Sequence, residues 1–430
     1  MLITKALTNF EIEPLSQPFG FKGGALNSLW QCPVYLETES GRSAVGLGSQ
    51  NTLWSDATLF ASSSPAASAS MMYLIGEYAA KLLCGRRVVH PRSTLFEILP
   101  SVTDFARKIT GLSDLRTTFV LNALVGVDHA LWKLYEAEQG GKGLDYVLPE
   151  GCCKSLGYRH DKLAVIPLIS YGVSLTEVRE LVENGFFFLK IKMGSDPEKD
   201  GDLAKMLEWD KKRLSEVHEV VKDFSSPYTD SGRIVYYLDA NGRYDSRDRL
   251  MRLLEHADKI GVLERTIVVE EPFPEEYKVR VDDLNTIVAA DESAHSAEDV
   301  EERISLGYRA IALKPIAKTI SVTLDMIETA DKYDIPCFCA DLTVGPLLLE
   351  INKSFAARLK ALPGLKIPAL ESNGWQNYKN WSKLEGYNPV NNRAWSKLRD
   401  GIYSLDESFY TESGGMFMDY PHYRNLILNG

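Results

Sequence analysis

From about residue 164 onward the chain repeats one pattern: a short apolar run rich in Val, Ile and Phe, a polar turn, then a longer stretch with apolar residues at helical spacing. Eight runs stand out: AVIPLISYGV (164–173), FFFLKIKM (186–193), IVYYLDAN (234–241), TIVVEEP (266–272), IVAADES (287–293), AIALKP (310–315), IPCFCADL (335–342) and KIPALES (366–372). Between them lie SLTEVRELVENG, SAEDVEERISLG, SVTLDMIETADKYD and GPLLLEINKSFAARLKALPG, several closing on Gly as helix C-termini do. Alternating strands and helices predict a parallel sheet of the α/β class. Eight units within about 210 residues predict that it closes into a (β/α)8-type barrel. The earlier residues read differently. Strands at the N-terminus and in QCPVYLETESGRSAVGLG, turning at Glu-Ser-Gly, precede helical stretches such as FVLNALVGVDHALWKLYEAEQ, which makes an α+β unit ahead of the barrel. SSSPAASAS (62–70) reads as a flexible surface loop. Segment 375–430 has no barrel unit left to form and is expected to pack back on the first unit.

Composition narrows the function classes. The 430 residues are 45% apolar and 25% charged, with a formal charge of -11, so no basic surface is offered to nucleic acid or anionic lipid. No run approaches about 18 apolar residues, and MLITKALTNFEIEPL lacks the pattern of a signal peptide, so a cytoplasmic protein with no membrane role is expected. Six cysteines in this length fit reduced thiols, with Cys337 and Cys339 as small core residues.

Chemistry enters at the ends of the runs, where barrels of this type build their sites. Five consecutive runs end in ionisable residues: Lys190 and Lys192, then Asp239 with Asn241, then Glu270 and Glu271, then Asp291 and Glu292, then Lys314. Any one alone reads as a solvated strand end or turn. Five in a row at equivalent positions do not. Residues two apart on a strand share a face, so Lys190 and Lys192 point together, as do Asp239 and Asn241. If that face is the interior, runs three, four and five place three carboxylates on one arc. Crowded carboxylates raise one another's pKa unless a hard cation neutralises them, and oxygen-only donors favour Mg²⁺ or its close substitute Mn²⁺ over zinc.

Runs two and six stand four steps apart in a ring of eight, which puts Lys192 and Lys314 on opposite walls with the acid arc between them. A carboxylate substrate held on the arc has a lysine on either face of its α-carbon. A free lysine titrates near 10.4 and must be brought toward roughly 7 to 8 to act as a base, at a cost of about 4 kcal/mol. A second ammonium and a dication nearby act in that direction, making Lys190 the helper and Lys192 the base.

With GVDHALWKLYEA, LKIKMG, LDANGRYD, VVEEPFP, AADES, ALKP and GPLLLEINKSFAARLKALPG in this order, the chain resembles the enolase superfamily, and within it the muconate-lactonizing-enzyme-like subgroup of the mandelate racemase/muconate lactonizing enzyme family. The resemblance implies a divalent-metal site of Asp239, Glu270 and Asp291, with Lys192 and Lys314 as acid and base. It also implies a capping domain, here residues 1–155 with the tail 375–430, over a catalytic barrel of residues 156–374. The choice of Glu270 over Glu271, and of Asp291 over Glu292, rests on it. Mandelate-racemase-like members carry a His near the end of strand seven, whereas no His lies there in this chain. Muconate-type members read Glu-Ser where Asp341 stands, and dipeptide epimerases carry Asp-x-Asp where Ala369 and Glu371 stand. Asp341 and Glu371 are therefore candidates for substrate contact, with strand-end acids facing solvent as the bland alternative. In the cap, Phe21, Lys22 and Trp54 are candidates to touch substrate. The histidines, His295 included, read as surface or capping residues.

The function expected is racemisation, epimerisation or cycloisomerisation of a small carboxylate through a metal-stabilised enolate, in a homo-oligomer. Syn elimination of water by the same site, as in acid-sugar dehydratases or o-succinylbenzoate synthase, is the runner-up. A Schiff-base aldolase on Lys314 is a third possibility that leaves the carboxylates unexplained, and a non-catalytic binding barrel leaves the whole charged set unexplained.

Overall fold

Four strands open the chain: β1 (Ile3–Thr8), β2 (Glu11–Phe21), β3 (Gly24–Thr38) and β4 (Ser43–Gln50). They belong to a computed structural model that describes residues 1–21 and 24–430, Phe21 through its backbone alone. At 15 residues, β3 is long enough for β1 and β2 to share one of its edges while β4 takes the other, all antiparallel. The helix Thr117–Glu138 lies on this sheet. Its close approach needs glycine on both sides: a Cβ on Gly46 would stand 2.1 Å from the Gly126 carbonyl oxygen, and one on Gly126 would stand 2.9 Å from that of Cys32.

The same helix is tied to the C-terminal half. Buried Asp128 accepts bonds from Ser321 N (3.0 Å) and Ser321 Oγ (2.5 Å), and Trp132 Nε1 donates to the same hydroxyl (3.0 Å). Ser321 lies in the first turn of the helix Ile320–Lys332, so a carboxylate sits at a helix N-terminus, where the backbone N–H groups favour negative charge.

The eight runs become the strands of one parallel ladder: β5 (Lys162–Ile166), β6 (Leu168–Ile169), β7 (Phe188–Lys192), β8 (Val235–Asp239), β9 (Thr266–Glu270), β10 (Val288–Ala290), β11 (Ala310–Leu313), β12 (Cys337–Cys339) and β13 (Ala369–Glu371). Strands buried on both faces read as continuous apolar runs, which is why they stood out. The first run is two strands because Pro167, lacking an N–H, interrupts it. β5 pairs with β13 and β6 pairs with β7, so the curled sheet meets itself across that proline.

Two expectations need correction. Residues 65–70 are no loop: Ser64 Oγ accepts from Ala67 N, Pro65 fills the first turn, and an alanine-rich helix runs Pro65–Leu83. The tail does more than pack on the first unit. Its residues do bond there, as in Lys383 Nζ to Glu13 (3.0 Å), Asn9 Nδ2 to Leu426 O (2.8 Å) and His422 beside Glu11 (2.8 Å). Its hairpin, β14 (Leu398–Arg399) and β15 (Ile402–Ser404), also joins the large sheet antiparallel to β5. Among the described residues, no helix is long and apolar enough to cross a membrane.

Candidate active site

Ladder register brings the charged strand ends side by side. Lys192 stands opposite Asp239, and Asp239 opposite Glu270, while Asp291 and Lys314 directly follow β10 and β11. All are buried, as are Lys190 and Lys318. So many desolvated charges persist only when paired, and removing one partner leaves the other uncompensated. Their concentration at one end of a sheet marks a candidate functional site.

The pairing follows the arc. Lys190 Nζ lies 2.8 Å from Asp239, 2.7 Å from Glu270 and 2.9 Å from Glu371, and donates to Tyr237 OH at 3.3 Å. Lys192 Nζ donates to Asp239 Oδ2 at 2.5 Å and to Asn241 Oδ1. Asn241 Nδ2 in turn donates to Glu292 Oε1 at 3.0 Å. Lys314 pairs with Asp291 Oδ2, and its Nζ lies 4.7 Å from the centre of the Trp54 ring.

These pairs set the acid–base state. Burial opposes the charge on Lys190, but Asp239, Glu270 and Glu371 overcome it and hold its pKa well above the ordinary lysine value. Lys314 is raised likewise by Asp291, against burial. Burial also works against ionised Asp239 and Asp291, yet Lys190 with Lys192, and Lys314 with Lys318, hold both far below the usual carboxylate range. Glu270 goes the other way: burial, then the charges of Asp239 and Asp291, push it well above the usual range despite Lys190. The protein's own charges therefore keep Lys314 protonated, the reverse of what a base needs.

A hard cation answers this imbalance. Glu270 is fully buried, and although Oε2 lies close to Lys190, among the described residues neither of its oxygens accepts a hydrogen bond of sound geometry. An orphaned buried carboxylate flanked by two more acids is a donor set suited to Mg²⁺ or Mn²⁺. Among the described residues no three metal-binding side chains already converge on one point, because lysine ammoniums stand between the acids. The residues fit the ion in chemistry, and the lysines have to yield for it to bind.

Of each adjacent acid pair, Glu270 faces Lys190, whereas Glu271, at φ 38°, turns away and accepts from Asp291 N (2.7 Å) and from Ser293 N and Oγ. Strand alternation fails for the next pair. Asp291 reaches Lys314 while Glu292 reaches Asn241, so both serve the site. Asp341 and Glu371 do not face solvent: both are buried and line one cavity with Phe19, Asn51, Trp54, Lys190, Lys192, Asp239, Asn241, Lys314 and Asn373. Asp341 accepts from the backbone N–H groups of Leu342 (2.8 Å) and Asn373 (2.8 Å), and burial beside Glu371 pushes its pKa to about 7. A larger cleft of about 800 Å³, walled by Tyr171 and Trp375, meets this cavity at Phe19 and Leu168, which line both. His295 Nδ1 pairs with Asp299 at 2.6 Å and does not line the cavity. Lys22 and the side chain of Phe21 lie outside the described residues.

Sequence reasoning missed Lys318, Asn373, Asn51 and Phe19, and set Glu292 aside in favour of Asp291. Lys318 had a signal, a second lysine four residues after Lys314, and the backbone bond Lys318 N to Lys314 O (2.7 Å) makes the turn that joins them.

Residues 174–390 match the family described as enolase C-terminal domain-like. A 122-residue stretch is 32% identical to the L-Lys-D/L-Arg epimerase of Methylococcus capsulatus, spanning 28% of this chain and 28% of that protein. Among solved structures, the dipeptide epimerase of Cytophaga hutchinsonii, complexed with Mg and D-Ala-L-Val, superposes with TM-score 0.62 at 18% identity over 88% of this chain and 89% of its own. The N-succinyl Arg/Lys racemase of Bacillus cereus gives 0.61 at 15% identity over 88% and 89%. The Methylococcus capsulatus dipeptide epimerase, complexed with Mg ion, gives 0.60 at 20% identity over 95% and 97%. At these identities the structural likeness concerns the fold.

Proposed function

Since the chain belongs to the enolase superfamily, on a family match covering half its length, we propose that it is a racemase or epimerase that exchanges the α-proton of a small carboxylate between Lys192 and Lys314. The observation that carries this reading is that these two lysines, from β7 and from the end of β11 four strands further round, line one cavity with a carboxylate partner each. The large sheet is read as a (β/α)8-type barrel, residues 156–374. Residues 1–155 and 375–430 are read as the cap that governs access.

Lys192 removes the proton from one face and Lys314 returns one to the other. Neutral lysine is needed at the abstracting side. A Mg²⁺ or Mn²⁺ ion held by Asp239, Glu270 and Asp291 supplies Lewis-acid stabilisation of the charge that develops on the substrate. Asn241 keeps Lys192 aimed through its Oδ1, and Glu292 fixes the orientation of that amide. Trp54 screens Lys314 from solvent, and Asp341 and Glu371 shape the far side of the cavity. The names of similar proteins, an L-Lys-D/L-Arg epimerase and an N-succinyl Arg/Lys racemase, favour N-substituted amino acids and dipeptides as the substrates to try.

Incubating the protein in D₂O with Mg²⁺ and a panel of N-acylamino acids, dipeptides and lactones is expected to show α-proton exchange by NMR, and EDTA is expected to abolish it. Exchange at the same rate in EDTA would sink the reading.

A further inference from the structure

We propose that Lys318 is a positioning residue that holds the Asp291 carboxylate in place for a divalent cation; the inference rests on the reading above only in taking Asp291 as a cation ligand. Lys318 is fully buried and does not line the cavity, so it cannot touch substrate. Its ammonium has three donors, and three acceptors receive them: Asp291 O at 2.6 Å, Asp291 Oδ1 at 3.0 Å and Ala294 O at 2.9 Å.

The carboxylate of Asp291 is thereby divided, Oδ1 to Lys318 and Oδ2 to Lys314. The two lysines sit on one tight turn, closed by Ala317 N and Lys318 N donating to Lys314 O, and followed by Thr319 in the left-handed region at φ 73°. A β-branched residue there is strained, and the three bonds of Lys318 tie that turn to the loop Asp291–Ala294.

Without Lys318, Lys314 is, among the described residues, the ammonium left bonded to the Asp291 carboxylate. Both carboxylate oxygens can then swing to it, which ties up Lys314 and misaligns the oxygen a divalent cation needs. The opposing effect is repulsion, because a buried ammonium disfavours a cation on the same acid. Orientation is expected to win, because the charge of Lys318 is already spread over one carboxylate oxygen and two carbonyls. Loss of a group that orients a metal ligand typically costs about 10- to 100-fold in metal affinity.

The test is a Mn²⁺ titration of the full chain followed by EPR, with thermal melts alongside. Lys318→Met is expected to weaken Mn²⁺ binding by about 10- to 100-fold, and Lys318→Gln, which keeps a donor, by less. Unchanged or tighter Mn²⁺ binding in folded Lys318→Met and Lys318→Gln, with only the melting temperature lowered, would overturn the inference. Failure of the unaltered protein to take up Mn²⁺ would instead overturn the metal-site reading, and this inference with it.

Discussion

Replacing Lys192 by alanine is expected to slow α-proton exchange of the enantiomer whose proton faces Lys192 by roughly 10²- to 10⁴-fold, the share a positioned general base contributes. The fold is expected to survive, since Asp239 keeps Lys190 at 2.8 Å when Lys192 is gone and the strand β7 keeps both neighbours. Exchange rates in D₂O set beside melting curves check this. Lys192→Arg is expected to restore little, because a planar, permanently protonated guanidinium cannot accept the proton. A Lys192→Ala protein that exchanges that enantiomer at the original rate would remove Lys192 from the chemistry.

Glu270→Gln is expected to lose divalent-cation binding by about 100-fold or more, a ligand costing at least as much as the groups that orient one, and with it the activity. Its effect on stability has the opposite sign. Glu270 is raised in the folded state, so its contribution to folding is complete below its unfolded value near 4.5, and the metal-free protein loses that contribution as pH rises through the raised folded value. Asp239 and Asp291 are lowered, so their contributions are complete at neutral pH and disappear only in acid. At pH 7 to 8 in EDTA, Glu270→Gln is therefore expected to melt no lower than the unaltered protein. A gain on the order of 1 kcal/mol, about 1–2 °C in a chain this size, is expected. A melting temperature in EDTA several degrees below that of the unaltered protein would show that Lys190 depends on Glu270 more than the repulsion costs.

Much of this was legible in the sequence because of where polar residues interrupt apolar runs. A strand buried on both faces has no reason to end in LKIK, LDAN or VVEE unless those ends meet something charged. What the runs could not give was direction. Alternation allowed one of Glu270 and Glu271 to face inward, and the structure turns Glu271 away only because its backbone adopts a positive φ after the strand ends. At Asp291 and Glu292 the chain has already left β10, so alternation no longer applies and both reach the site. Asp341 and Glu371 were ambiguous because their burial depends on β12 and β13 lying beside each other, a tertiary fact that pairs Asp341 N with Glu371 Oε2 at 2.9 Å. Lys318 drew no reading for the same reason. The helix starting at Pro65 was missed because serine and alanine were taken as low complexity, when Ser-Pro at a helix start and alanine within it are favourable.

The account stands on two lysines acting from opposite faces of one α-carbon, and Lys314→Ala tests this most directly. With each enantiomer of an accepted substrate in D₂O and Mg²⁺, the variant is predicted to exchange the α-proton of one enantiomer only, with retained configuration and no racemisation, because Lys192 still reaches its own face. Equal exchange of both enantiomers, or racemisation at the original rate, would contradict it.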